Sequence, residues 1–257
     1  MGSKVVRKES VKKPGAPTRL WSYEDIRQVL EENTGIDNVE GIKVDLPEGH
    51  YHDMIRLSPK AFAEMKRLGF FISRGACFSG GVLSYLSNEL RVLDWSNCHL
   101  QSLPSNFHGE KLVVFRMYQG CIKEIISRKF KSLTVMQFFV CKFLTKIPDL
   151  SSCSNLEKLD IVACENLVEV HASVGFLDKL DDLYLNGCPS LKSFPRHVKL
   201  RSLRYLTLLS CSKHQNFPPQ IECKMELLSS IDLEALQYKN GLHPILGTSL
   251  LCLIRYL

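Results

Sequence analysis

Apolar residues recur along most of this chain in one short template, Leu-x-x-Leu-x-Leu, whose first, fourth and sixth positions are apolar. The clear copies are LRVLDWSNCHLQSLP from Leu90, LVVFRMYQGCIKEI from Leu112, LTVMQFFVCKFLTKIP from Leu133, LEKLDIVACENLVEV from Leu156, LDDLYLNGCPSLKSFP from Leu180 and LRYLTLLSCSKHQNFP from Leu203. A weaker copy, LSSIDLEAL, starts at Leu228, and a degenerate one, LGFFISRGACF, at Leu68. Successive starts lie 22, 22, 21, 23, 24, 23 and 25 residues apart. The alternation within each copy predicts a short strand with one inward face. A single strand cannot bury that face, so the copies stack as a parallel sheet, about 4.8 Å from strand to strand. The following segments often end in Leu-Pro, Ile-Pro or Phe-Pro, at Pro104, Pro148, Pro195 and Pro218. They turn the chain back along the convex side, where a missing N–H costs nothing.

A period of roughly 20–29 residues with this template is that of a leucine-rich repeat. The predicted fold is α/β: a leucine-rich-repeat solenoid with a parallel concave sheet, preceded by a small helical and strand segment. Residues 68–257 hold about eight repeats, the last cut short after Ile254 and Leu257. Residues 37–67 supply a strand and a helix that cap the solenoid. The strand is VEGIKVDLP, Val39 to Pro47, and the helix opens at Ser58-Pro59 and runs through Ala61, Phe62 and Met65. Ahead of them, Ser22 and Asp25 form a capping-box pattern for a helix over about Ser22 to Glu32, ended by Asn33, Thr34 and Gly35. His50, His52 and Asp53 are metal-ligand types, but no further ligand follows at suitable spacing, and the stretch is expected to be a polar loop.

Five of the ten cysteines, Cys98, Cys141, Cys164, Cys188 and Cys211, fall in the same slot, three residues after the last inward strand residue, with Gly120 in that slot of the second clear copy. Stacked copies of one slot make a straight row, whereas zinc needs about four ligands converging on a tetrahedron. Small buried side chains whose thiols bond weakly to the backbone are the expected reading. Disulfide, metal and nucleophile roles are the alternatives. There is no C-x-x-C and no Asn-x-Ser/Thr site, and the N-terminal MGSKVVRKES has no apolar core of a secretory signal, so free thiols in a reducing compartment are expected.

The residues between the buried ones form the usable concave surface. One column is Ile72, Asp94, Arg116, Gln137, Asp160, Tyr184, Thr207 and Asp232; beside it run Arg74, Ser96, Tyr118, Phe139, Val162, Asn186, Leu209 and Glu234. Adjacent aromatic and apolar residues on a surface are what protein interfaces use as anchors. Arg116, Tyr118, Gln137, Phe139, Asp160 and Tyr184 are therefore the candidate protein-contact patch. The alternatives are incidental exposure, or a face that meets another domain of the same protein.

Charge adds little. The net +6 is concentrated in residues 1–20, where Lys4, Arg7, Lys8, Lys12, Lys13 and Arg19 oppose Glu9 alone. With no aromatic residue among them, a solvated terminus is expected before a nucleic-acid binder. No apolar run is long enough to span a membrane. G-x-S-x-G, H-E-x-x-H, Rossmann glycine spacing and G-x-x-x-x-G-K-[ST] are all absent, so no catalytic residue, metal ligand or cofactor-binding residue is assigned.

The run PGAPTRLWSYEDIRQVLEENTGIDNVEGIKVDLPE, with AFAEMKRL, LSNELRVLDW and LQSLPSNFHGEKLV after it, resembles plant intracellular immune receptors of the TIR-NB-ARC-LRR type, in the segment joining their nucleotide-binding module to their repeats. The resemblance extends over nearly the whole chain. It implies that residues 1–36 are the end of a winged-helix subdomain of the NB-ARC region. It implies a segment of a larger receptor for plant defence and innate immunity, working in signal transduction from the cytoplasm or nucleus. Its partners would be a pathogen effector or a guarded host protein, and within the receptor the NB-ARC domain, held off by contact with the repeats. ADP or ATP would belong to that missing module and not to this chain. A stand-alone truncated adaptor or decoy, or a non-functional gene fragment, is the alternative.

Overall fold

Each Leu-x-x-Leu-x-Leu copy becomes strand where the alternation places it, and the chain bends immediately afterwards. The computed structural model describes residues 18–34, 37–46, 54–78, 82–125, 129–211, 220–221 and 223–232. Among these, ten parallel strands form one sheet in chain order: Arg19–Leu20, Gly41–Val44, Phe70–Ser73, Val92–Ser96, Val114–Tyr118, Val135–Phe139, Lys158–Val162, Asp182–Asn186, Tyr205–Thr207 and Ser230–Asp232. Equivalent repeat positions pair: Leu93 faces Phe115, which faces Met136, then Leu159, Leu183, Leu206 and Ile231. This is the parallel-sheet solenoid of a leucine-rich repeat.

The first, fourth and sixth residues of each central copy point into one continuous core, as in Leu90, Leu93 and Trp95, all fully buried. Fully burying such a side chain is worth about 1.5–3 kcal/mol, and each copy from Leu68 to Leu203 contributes at least three. Near the N-terminal strands the core is aromatic. Phe62, Phe71 and Trp95 meet edge to face, with Phe71 and Trp95 centroids 5.0 Å apart, and Trp95 Nε1 donates to the Ala76 carbonyl at 2.8 Å.

The bend after each strand has a single device. The eighth position of six successive copies takes a left-handed backbone: Asn97 (φ 56°), Gln119 (52°), Val140 (57°), Ala163 (54°), Gly187 (62°) and Ser210 (55°). Only Gly187 and Asn97 suit that conformation well, and Val140, branched at Cβ, suits it worst. The same turn, rather than any local preference of the cysteine, aims the ninth position inward.

Three expectations change. The array begins earlier than Leu68, because Val39, Ile42 and Val44 fit the same template and Gly41–Val44 pairs in register with Phe70–Ser73. Arg19–Leu20 in turn pairs with Gly41–Ile42, so residues ahead of residue 37 belong to the same sheet. The helix exists as Tyr23–Glu31 and ends at Asn33 with φ 54°, but the capping box does not form; Ser22 Oγ donates to Glu24 Oε2 at 3.2 Å instead. The helix expected after Ser58 is replaced by consecutive turns with i→i+3 bonds from Ala61, Ala63, Met65 and Leu68. Those turns carry Ala61, Phe62, Met65 and Leu68 all to the core, which suits a chain that must run along the repeat to reach its next strand. Short parallel pairs, Ile55–Leu57 with Ala76–Phe78 and Lys146–Ile147 with Glu169–Val170, line the return side. The basic residues before Arg19, the His50–Asp53 loop, Pro218, Glu234 and the residues from Ile254 onward lie outside the described residues.

Candidate functional site

Strand pleating turns the third, fifth and seventh residues of each copy to the open face of the sheet, opposite the core. The six residues of the predicted patch all stand on this face, on the four neighbouring strands from Val114–Tyr118 to Asp182–Asn186. They do not all do the same thing. Tyr118 is 46% exposed, and its ring lies beside that of Phe139, centroids 6.2 Å apart. Arg116 and Tyr184 are half-buried, whereas Gln137 and Asp160 are buried at 8% and 6% exposure.

Gln137 and Asp160 are buried because they are rungs of a polar ladder across the strands. Asp94, 6% exposed, takes a two-pronged bond from Arg74, Nη1 to Oδ1 at 2.8 Å and Nη2 to Oδ2 at 2.9 Å. Arg116 Nη1 approaches the same carboxylate at 3.7 Å while its Nε donates to Gln137 Oε1. Gln137 Nε2 donates to Asp160 Oδ2. Lys158 then bridges Asp160, at 3.6 Å, and Asp182, at 2.9 Å, and lies 5.2 Å from the centre of the Tyr184 ring. The hydrogen bond and charge of Asp94 hold the Arg74 guanidinium above its usual range. Burial pushes the Asp160 carboxyl up, and its Oδ1 has no hydrogen-bond partner. Reading columns one at a time missed Arg74, Asp94, Lys158 and Asp182 as members. The signal was opposite charge at facing positions of neighbouring copies, Asp94 with Arg116 and Lys158 with Asp182; Arg74 reaches Asp94 from two positions further along its own copy.

The ladder divides the face electrically. Toward the N-terminal strands, the described open-face residues Arg19, Lys43, Arg74 and Arg116 oppose Asp45 and Asp94. From Lys158 onward one cation faces Asp160, Asp182 and Asp232. On the cationic side, before Lys158, is a hollow of about 390 Å³ lined by Arg74, Asp94, Arg116, Tyr118 and Phe139, with Ser96, Asn97, Met117 and Gln119 completing its wall.

The shared cysteine slot is packing. Cys98, Cys141, Cys164, Cys188 and Cys211 are fully buried. Four have their Sγ between two carbonyls, the preceding copy's sixth position (Met117, Phe138 and Ile161 at 3.7 Å from Cys141, Cys164 and Cys188, and Leu185 at 2.9 Å from Cys211) and their own copy's seventh, at 3.5–3.7 Å. Burial raises the Cys98 thiol, whereas hydrogen bonds with a neighbouring slot thiol along the row lower Cys141 and Cys211; all of them are fully buried, out of reach of a substrate. Away from the sheet, Asp149, His171 and Ser173 come together, at 3.7 and 3.0 Å from His171 Nδ1. Both partners address the same ring nitrogen, whereas relay of a serine proton needs the two on opposite nitrogens. The cluster instead caps the short Ala172–Phe176 turn of helix, His171 Nδ1 accepting from the Ser173 N–H.

No family model matches the chain. Curated plant proteins do. TMV resistance protein N of Nicotiana glutinosa is 34% identical over 96% of this chain and 22% of its own length. The Arabidopsis thaliana protein SUPPRESSOR OF npr1-1, CONSTITUTIVE 1 is 34% identical over 79% of this chain and 14% of its own length. Disease resistance protein RPP5 of the same plant is 34% identical over 73% and 13%. The chain is homologous to one section of the plant TIR-NB-ARC-LRR disease resistance proteins. It spans about a fifth or less of the length of these relatives. Among solved structures, a leucine-rich-repeat protein of Leptospira interrogans covers 79% of this chain and 69% of its own at 12% identity, with a TM-score of 0.29. The disease resistance homology thus rests on sequence, and the repeat architecture on the sheet itself. No described helix is long and apolar enough to cross a membrane.

Proposed function

We propose that this segment of a plant disease resistance receptor works by binding proteins on the open, concave face of its sheet, and that Arg116, Tyr118, Gln137, Phe139, Asp160 and Tyr184 mark the contact region. One observation carries the reading: Tyr118 and Phe139 present neighbouring rings to solvent beside a hollow, on a face whose polar groups are mostly paired with one another. Aromatic pairs of this kind are enriched among the few residues that dominate interface energies. Gln137 and Asp160 serve the patch from beneath, holding Arg116 and Lys158 in place. A pathogen effector, a guarded host protein, or the receptor's own NB-ARC domain would occupy the face, in the cytoplasm or nucleus. Intramolecular contact would keep the nucleotide switch off, with ADP or ATP held by that other domain. Acting alone as an adaptor or decoy, the chain would use the same face.

The test uses the NB-ARC module of TMV resistance protein N, expressed separately with the 257-residue chain. Association should fall in Tyr118→Ala/Phe139→Ala and persist in Phe143→Ala, which removes an exposed ring off the open face. Equal association of all three proteins would refute the aromatic pair as the contact.

A further inference from the structure

The hollow beside Tyr118 is chemically lopsided. Two guanidiniums, Arg74 and Arg116, share the single carboxylate of Asp94. Asp94 is buried and doubly engaged by Arg74, so its charge is largely spent there. Arg116 reaches it only at 3.7 Å and remains 43% exposed at the hollow's wall. Gln137, bound to Arg116 Nε, fixes that guanidinium without neutralising it. The next fixed acid along the ladder, Asp160, lies two strands away and is claimed by Gln137 and Lys158. The opposite wall is the Tyr118–Phe139 ring pair.

We propose that this hollow takes an acidic side chain of the bound protein, its carboxylate on Arg116, with an adjoining apolar side chain against Tyr118 and Phe139. The inference rests on the reading of the open face as a protein-binding surface and adds the partner's chemistry to it. The charge division of the sheet sets an orientation. The acidic part of the partner lies over the strands before Lys158, and any basic part lies over Asp160, Asp182 and Asp232. A planar guanidinium held at its Nε leaves its outer edge for a carboxylate, which is the group Arg binds best. An amide of the same shape lacks the charge and gains less.

A displayed library of random peptides selected on the 257-residue chain tests this. Selected sequences should be enriched in Asp or Glu next to Leu, Phe or Trp. A synthetic Glu-containing winner should lose roughly tenfold in affinity as its Gln form, a comparison that needs no change to the protein. Its binding should weaken several-fold, as an order of magnitude, between low and high salt. Arg116→Met should erase the Glu/Gln difference, and Tyr118→Ala should weaken both forms alike. Winners that lose affinity in Tyr118→Ala but bind equally as Glu and Gln would overturn the acidic-residue proposal and leave the open-face reading standing. Winners indifferent to Tyr118→Ala and to Arg116→Met would overturn both.

Discussion

Replacing single cysteines of the shared slot by serine and by alanine gives the sharpest test of how the solenoid is held together. Alanine removes one buried heavy atom, a change comparable to Ile→Val, and should cost about 0.5–1.5 kcal/mol at any of these positions. Serine behaves differently from copy to copy. The Cys188 sulfur sits 3.7 Å from the Ile161 carbonyl, and Cys211 only 2.9 Å from that of Leu185. A C–O bond is shorter than C–S, so Ser at 188 would hold its oxygen outside the roughly 2.5–3.0 Å of an O–H···O bond to Ile161, and the Asn186 carbonyl, 3.5 Å from the sulfur, is also beyond that range. A buried hydroxyl without that bond costs about 1–3 kcal/mol more. Ser at 211 starts much closer to its acceptor and should do no worse than alanine. Urea unfolding of the full chain is the assay, with amide exchange at the affected strand to separate local from global opening, because repeat arrays need not unfold in one step. Cys188→Ser should therefore be the most damaging of the four variants. Equal damage from the two serines, or greater damage at 211, would refute the view that these thiols are packing groups tuned by distance to a carbonyl.

Further outcomes follow from the same geometry. Val140→Asn should raise stability by about 0.5–1 kcal/mol, since Val140 is held at φ 57° and Asn tolerates the left-handed region, while Asn97→Val should lose a similar amount; thermal melts read both. Trp95→Phe should cost about 2–3 kcal/mol in urea unfolding, because it strands the Ala76 carbonyl as well as leaving a void. Asp160 has its folded pKa raised by burial above the ordinary 3.8, so the folded state keeps this proton to higher pH than the unfolded state does. Its ionisation therefore opposes folding as pH rises from that ordinary value through the folded one, and below it the effect vanishes. The stability of Asp160→Asn relative to the parent, followed by urea unfolding across that range, should improve as pH rises and level off above the folded pKa.

Much of the fold was legible because a repeat states its rule several times. One copy of LYLNGCPSL cannot say what Cys188 does, but five cysteines at one offset can only be a row. The start of the array was harder to see. Val39, Ile42 and Val44 obey the template, yet 29 residues separate Val39 from Leu68, more than between any later pair, and the spacing hid the match. The turns after Ser58 were missed for a different reason. A Ser-Pro start followed by Ala61, Phe62 and Met65 has helical spacing, and only the demand that the chain reach the next strand selects i→i+3 bonds over i→i+4.

The candidate site was legible in position but not in chemistry. Pleating fixes which residues share the open face, so the sequence places all six patch residues together. It does not say which side chains spend their polarity on one another. Gln137 and Asp160 look like exposed contacts in a column, and become buried supports once Arg116 and Lys158 reach across the strands to them. That conversion sharpens the functional reading. On the proposed reading, a face whose polar groups are mostly self-paired would recognise a partner through what is left over, and here the remainder is two aromatic rings and the exposed edge of Arg116. On that reading, variation at Tyr118 or Phe139 would then change what is bound while leaving the sheet intact, whereas variation at Arg116 would act on both, since its Nε also serves Gln137. Variation at Asp94, Gln137 or Asp160 would change binding only by first disturbing the ladder, and would show itself in stability before it showed in specificity.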